Sequence, residues 1–181
     1  MPRAHRDKAA GTFHVYTHCV WDVPSLYRND EDRAEFLRGL ARVTDRHRWT
    51  CIAYCLMTSH YHLIVDVEDG VLPRAMHALN LPYARNFNRR YKLRGHVQFE
   101  QYGASRIESE DDLLYRFKYV VNNPVEAGLC KSAADWPWSS YAGTVGLSPL
   151  ASFVDPAFVL GSFHWPASDP RAALRRYVEE S

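Results

Sequence analysis

The chain reads as an α+β protein built on an antiparallel sheet, and three features of its 181 residues point there. Stretches rich in β-branched and aromatic residues alternate with stretches whose apolar residues recur at helical spacing. Two strand-like stretches follow one another across a break of two polar residues, Thr58 and Ser59, which suits a hairpin. Apolar residues make up 46% and charged residues 24%, an ordinary globular balance for a chain long enough to bury a core.

The elements follow in order. Thr12 to Trp21 (TFHVYTHCVW) reads as the first strand. In DEDRAEFLRGLARVTDRH, Phe36, Leu37, Leu40 and Val43 lie at helical spacing behind an acidic first turn. Trp49 to Thr58 is the second strand and HYHLIVDVE the third, closed by a turn at Asp69-Gly70. LPRAMHALNLPYARNFNRRYKLRG is a helical region ending at Gly95, which Pro82 is expected to kink or split. HVQFEQYGASRI is an irregular fourth strand. SEDDLLYRFKYVVNN is a further helix, capped by Ser109 and Asp112 and stopped by Pro124. Short helices are expected at DPAFVL and PRAALRRYVEES. The β-α-β-β-α-β order is that of a ferredoxin-like (RRM-like) antiparallel sheet with helices on one face, followed by a helix after the fourth strand and a C-terminal helical extension. The division expected is residues 1–146 as one domain and 147–181 as the extension.

Composition excludes several classes. A net charge of +1, from 22 basic and 21 acidic residues, excludes a uniformly basic nucleic-acid binder but not a local basic face. No apolar run is long enough to cross a bilayer, and the basic start lacks the apolar centre of a secretory signal. Cys19, Cys51, Cys55 and Cys130 form no CxxC pair and read as free thiols of a reducing cytoplasm.

In MTSHYHLIV, His60 and His62 lie two apart on a strand and so project to the same face. Two neutral imidazoles side by side can share a divalent cation, or they can be ordinary hydrogen-bonding histidines near a strand edge. Tyr115, Tyr119 and Asn123 fall on one helical stripe, where a phenol and an amide oxygen could meet the same ion. Tyr115 reads as a core residue. Arg74, Arg85, Arg89, Arg90, Lys92 and Arg94 come without an intervening acid and with Phe87 and Tyr91 interleaved. Such a stretch suits phosphate contacts with base stacking, or else a solvated helix whose aromatics point inward. Arg3 and Arg6, with Lys8, add a basic N-terminal arm. WPWSSY (Trp136 to Tyr141) reads as structural, closing an edge of the core.

AYCLMTSHYHLIV, YVVNNPVEAGL and DWPWSSY, in this order and spacing, resemble the single-tyrosine HUH transposases, and among them the REP-associated tyrosine transposases. GTFHV, NDEDRAEFL and NFNRRYKLRGHVQF fit the same family, so the resemblance runs from Pro2 to Gly146. It implies that His60 and His62 bind the metal, with Asn123 as a third ligand, and that Tyr119 is the nucleophile. The implied ion is Mg2+ or Mn2+. The implied activity is single-stranded DNA cleavage and strand transfer through a 5′-phosphotyrosine, on hairpin-containing repeat DNA. Arg3, Arg6, Arg85, Arg89, Arg90, Lys92 and Arg94 are the expected DNA contacts. A cytoplasmic, nucleoid-associated monomer or homodimer is expected, with no membrane partner. The loops THCVWDVPSLY, Thr58-Ser59 and EQYGASR depart from the family pattern, which leaves the recognised DNA sequence open. Two other readings stand beside this one: a non-catalytic hairpin-binding protein derived from a transposase, and a metal hydrolase of small phosphoesters, for which no further acidic ligand stands in recognisable spacing.

Overall fold

The computed structural model describes residues 9–18, 25–93, 102–161 and 169–180. Strands β1 (Gly11–His18), β2 (Thr50–Leu56), β3 (His60–Val67) and β4 (Gly103–Arg106) form one sheet in the order β2-β3-β1-β4. Every neighbouring pair is antiparallel, which is the ferredoxin-like arrangement. Helices α1 (Asp30–His47), α2 (Val71–Tyr91) and α3 (Glu110–Glu126) are followed by the short α4 (Tyr141–Thr144) and α5 (Ala157–Gly161) and by α6 (Pro170–Glu179).

Side-chain alternation along the strands splits the core in two. Phe13, Val15, Tyr61, Leu63 and Val65 face α1 and α2, meeting Phe36, Leu40, Met76 and Leu79. Ile52 and Ile64 face the other way, against Phe117 and Val121 of α3 and Leu174 and Val178 of α6. The expected single helical face is thus the α1/α2 layer, and α3 with the C-terminal helices covers the reverse side.

Both prolines expected to break helices lie inside them. Pro82 sits on the exposed side of an unbroken 21-residue α2, where the missing donor costs one bond to the carbonyl of Ala78. The helix ends at Tyr91, earlier than the expected Gly95, because Lys92 turns left-handed at φ 50° and the Leu93 N–H bonds back to the Asn88 carbonyl. Similarly, α3 runs through Pro124 to Glu126 and stops where Gly128 takes φ 69°.

The WPWSSY segment is structural, as its composition implies. The Leu56 N–H donates to the Trp138 carbonyl at 2.9 Å and the Ser140 N–H to that of Tyr54 at 3.0 Å, so this segment covers the open edge of β2. Arg33 of α1 lies among the rings of Tyr27, Trp136 and Trp138 at 5.5–5.9 Å, joining that segment to the α1 layer.

Candidate active site

Alternation on β3 places the site. Tyr61 turns into the α1/α2 core, where its ring meets Phe36 and its hydroxyl donates to Asn80 at 2.7 Å. His60 and His62 therefore emerge on the reverse face, with ring centroids 5.1 Å apart and planes nearly perpendicular. Sheet register then brings β1 into the site, because Tyr16 pairs with His62 across the ladder. His14, two residues earlier on the same face, holds its Nε2 2.9 Å from Nδ1 of His62. Burial, and secondarily the Arg116 charge, lower the His14 pKa to about 4, so this imidazole is neutral at pH 7.

Helix α3 crosses above. The Tyr119 ring stands edge-on to both His62 and His14, with centroids at 5.7 and 5.9 Å. It remains 39% exposed, so its hydroxyl is within reach of a strand arriving from solvent. These side chains line an open pocket of about 410 Å³, completed by Tyr16, Ser105, Tyr115 and Arg116. Tyr115 is 64% exposed on the pocket rim and is not the core residue expected. One turn before Tyr119, the helical stripe has already left the hydrophobic layer formed by Leu114 and Phe117.

The structure thus brings His60, His62 and Tyr119 together. Asn123 stands one turn further along α3, outside the pocket lining, with its Nδ2 donating to the Tyr119 carbonyl at 2.8 Å. Among the described residues no group of three His, Cys, Asp or Glu side chains is disposed as a metal cage. The two imidazoles fit a partial shell for a divalent ion, with positions left for an amide oxygen, water and phosphate. For His62 to offer Nε2 to a cation its Nδ1 must carry the hydrogen, and the neutral His14 is placed to accept it.

The basic stretch is distributed differently. Arg85, Arg89 and Lys92 are exposed on and just beyond α2, in the layer on the other side of the sheet from the histidines. Arg90 is held by Asp32 at 2.5 Å and Glu35 at 2.6 Å, so two carboxylates offset its charge. Asp32 is buried, and also takes the Tyr91 hydroxyl at 2.7 Å and the Arg28 N–H at 2.9 Å. The base-stacking reading of the interleaved aromatics does not hold. Phe87 is buried in the core, and Tyr91 is tied to Asp32 beneath the Arg28 guanidinium. Arg3, Arg6 and Arg94 lie outside the described residues.

Sequence reasoning missed His14, Tyr16 and Arg116. The signal for the first was present in GTFHV: a histidine at an inward position of an otherwise apolar strand, in phase with the HYH pair once β1 neighbours β3.

Residues 12–123 match the family described as "Transposase IS200 like". A Haemophilus influenzae protein, a candidate REP-associated tyrosine transposase, is 24% identical over 153 residues, spanning 78% of this chain and 86% of that protein. The solved structure of a REP-associated tyrosine transposase bound to a REP hairpin superposes with a TM-score of 0.67 at 18% identity, covering 86% of this chain and 94% of that one. At that identity the likeness speaks for the fold, the four-stranded antiparallel sheet with its helices.

Proposed function

The chain belongs to the IS200-like transposase family, and from that premise we propose that it is a metal-dependent single-stranded DNA endonuclease and strand transferase acting on hairpin-containing repeat DNA. The observation that carries this reading is the Tyr119 ring lying edge-on over His62 and His14 in an open pocket. The hairpin belongs to the reading because the structural neighbour carries one.

In the proposed reaction the Tyr119 oxygen attacks the scissile phosphorus in line. The phosphorus–O3′ bond breaks, and the strand separates into a 5′-phosphotyrosine on Tyr119 and a free 3′-OH. The phenol loses one proton and the departing 3′ oxygen gains one. A second 3′-OH can reverse the step and join strands, because the phosphotyrosine conserves the energy of the phosphodiester. Mg2+ or Mn2+ bound at His60 and His62, with Asn123 as a further ligand, would polarise the phosphate and offset transition-state charge. His14 holds the His62 ring in orientation through Nδ1. Tyr119 meets His62 and His14 of its own chain, which supports a site assembled within one subunit.

The test uses end-labelled hairpin oligonucleotides from repeats beside the gene, incubated with Mg2+ or Mn2+ and resolved on a denaturing protein gel. A metal-dependent covalent band that disappears in Tyr119→Phe is expected. Hairpin binding without a band in any metal would leave a DNA-binding descendant of a transposase.

A further inference from the structure

The proposed chemistry uses one wall of the pocket, formed by His60, His62 and Tyr119. The rest of the lining beside them, Tyr16 of β1, Ser105 of β4 and Arg116 of α3, has no role in it. Among the described residues no Asp or Glu lines the pocket, and Arg116 supplies the one fixed charge of that lining. Its guanidinium is only partly engaged, by an ion pair with Asp112. Nε donates to Asp112 one turn back at 3.1 Å, and among the described residues no acceptor takes the two terminal NH2 groups. That leaves a fork of donors suited to a phosphate. Arg116 precedes Tyr119 by three residues, so the two side chains rise from the same face of α3, about 5–6 Å apart at Cβ. One strand can therefore touch both with neighbouring phosphates.

Tyr16 completes this part of the lining. Its partner across the ladder to β4 is Gly103, and a Cβ there would collide with the Tyr16 ring. The missing side chain gives the ring room to lie over β4, half-buried, with its centroid 6.2 Å from that of His62.

We propose that Arg116 and Tyr16 form a nucleotide subsite beside the scissile phosphate, in which Arg116 grips the adjacent phosphate of the single strand and Tyr16 stacks on that nucleotide's base. This rests on reading the pocket as the strand-cleaving site, and the test separates the two. In a Tyr119→Phe background, where nothing is cut, binding of a repeat-derived hairpin with a single-stranded flank is measured across salt concentrations. Arg116→Gln is expected to flatten the plot of log K against log salt by about 0.7, the release expected for one single-strand phosphate contact. Arg116→Lys should restore most of the slope. A neutral methylphosphonate stepped along the flank should reproduce the Arg116→Gln loss at one position only, and the two changes should not add. Tyr16→Ala should weaken binding about tenfold, with Tyr16→Phe close to the parent protein. An unchanged slope in Arg116→Gln, or equal sensitivity to methylphosphonate at every position, would overturn the subsite whether or not Tyr119 forms an adduct. A position-specific loss without any adduct in the parent protein would keep the subsite and remove the proposed activity.

Discussion

The two faces of the sheet treat polar groups in opposite ways. On the α1/α2 face most of the buried polar groups are tied down, Tyr61 to Asn80, Tyr83 to the Leu26 carbonyl, and Asp32 to Arg90, Tyr91 and the Arg28 N–H, although the Tyr27 hydroxyl is buried there without a partner among the described residues. On the α3 face a hydrophobic half around Ile64, Phe117 and Val121 adjoins a half where His14, His60, His62 and Tyr119 open onto a pocket. Strand β3 serves both faces with alternate residues. A closed face supplies rigidity, and the open one can then hold imidazoles and a phenol at fixed spacing without having to stabilise the fold.

Substitutions on opposite faces should therefore separate activity from stability. The largest expected effect is Tyr119→Phe, which removes the attacking oxygen and should abolish the covalent band, while the melting temperature stays within about 2 °C because the side chain is a partly exposed one. The inverse experiment is Phe36→Ala. Phe36 is fully buried and packs against Tyr27, Tyr61 and Tyr83, so its loss should cost about 3–5 kcal/mol of unfolding free energy in urea melts. At temperatures where the variant is still folded, adduct formation should persist. A Phe36→Ala protein that is stable but inactive would show that the two faces are not independent.

How much of this was legible in the sequence follows from the range of the interactions. Local periodicity shows α1, the hairpin and the core residues of both, puts His60 and His62 on one strand face and puts Tyr119 on a helical stripe with Asn123, but the roles of these three residues come from the family resemblance and not from their spacing. The role of His14 depends on β1 lying beside β3 in a register that only the assembled sheet sets. Arg90 reads as a DNA contact until Asp32 and Glu35, more than fifty residues earlier, come into reach. Phe87 looks like a stacking platform for the same reason: on its own helix it alternates with arginines, and only the α1 layer shows which side is inward. Pro82 misleads because it lies on the exposed side of its helix, where one missing donor is tolerated, and Pro124 because it falls in the last turn, three residues before the C-cap Ala127.

A third test acts on the open face through pH. His14 titrates near 6.5 in the unfolded chain and at about 4 in the fold, so the unfolded state binds more protons between those values. The contribution is complete above pH 6.5, falls as pH drops, and levels off below about 4. Over that window the metal-free protein should lose on the order of 3 kcal/mol of stability, an upper value for a site beside an open pocket. His14→Gln should flatten this part of the pH profile in chelator-containing urea melts, and an unaltered profile would assign the acid sensitivity to other groups.

The smallest effect is expected from the basic residues on the closed face. Arg85, Arg89 and Lys92 sit in the α2 layer, away from the pocket, so changing them to Gln should leave the position of cleavage unchanged. If the hairpin stem wraps that side, each residue touching a duplex phosphate should lower the salt slope of binding by about 0.9, without the position-specific methylphosphonate effect expected of Arg116. Arg90→Gln should behave differently from its neighbours. It would leave the buried Asp32 carboxylate short of its strongest partner, and should cost stability more than DNA affinity. Equal loss of binding for Arg90 and Arg89, with unchanged melting of both, would show that the Asp32 pairing does not hold in solution and that this guanidinium is available to DNA. That result would break the division of labour between the faces, because the side that stabilises the fold would then also carry substrate.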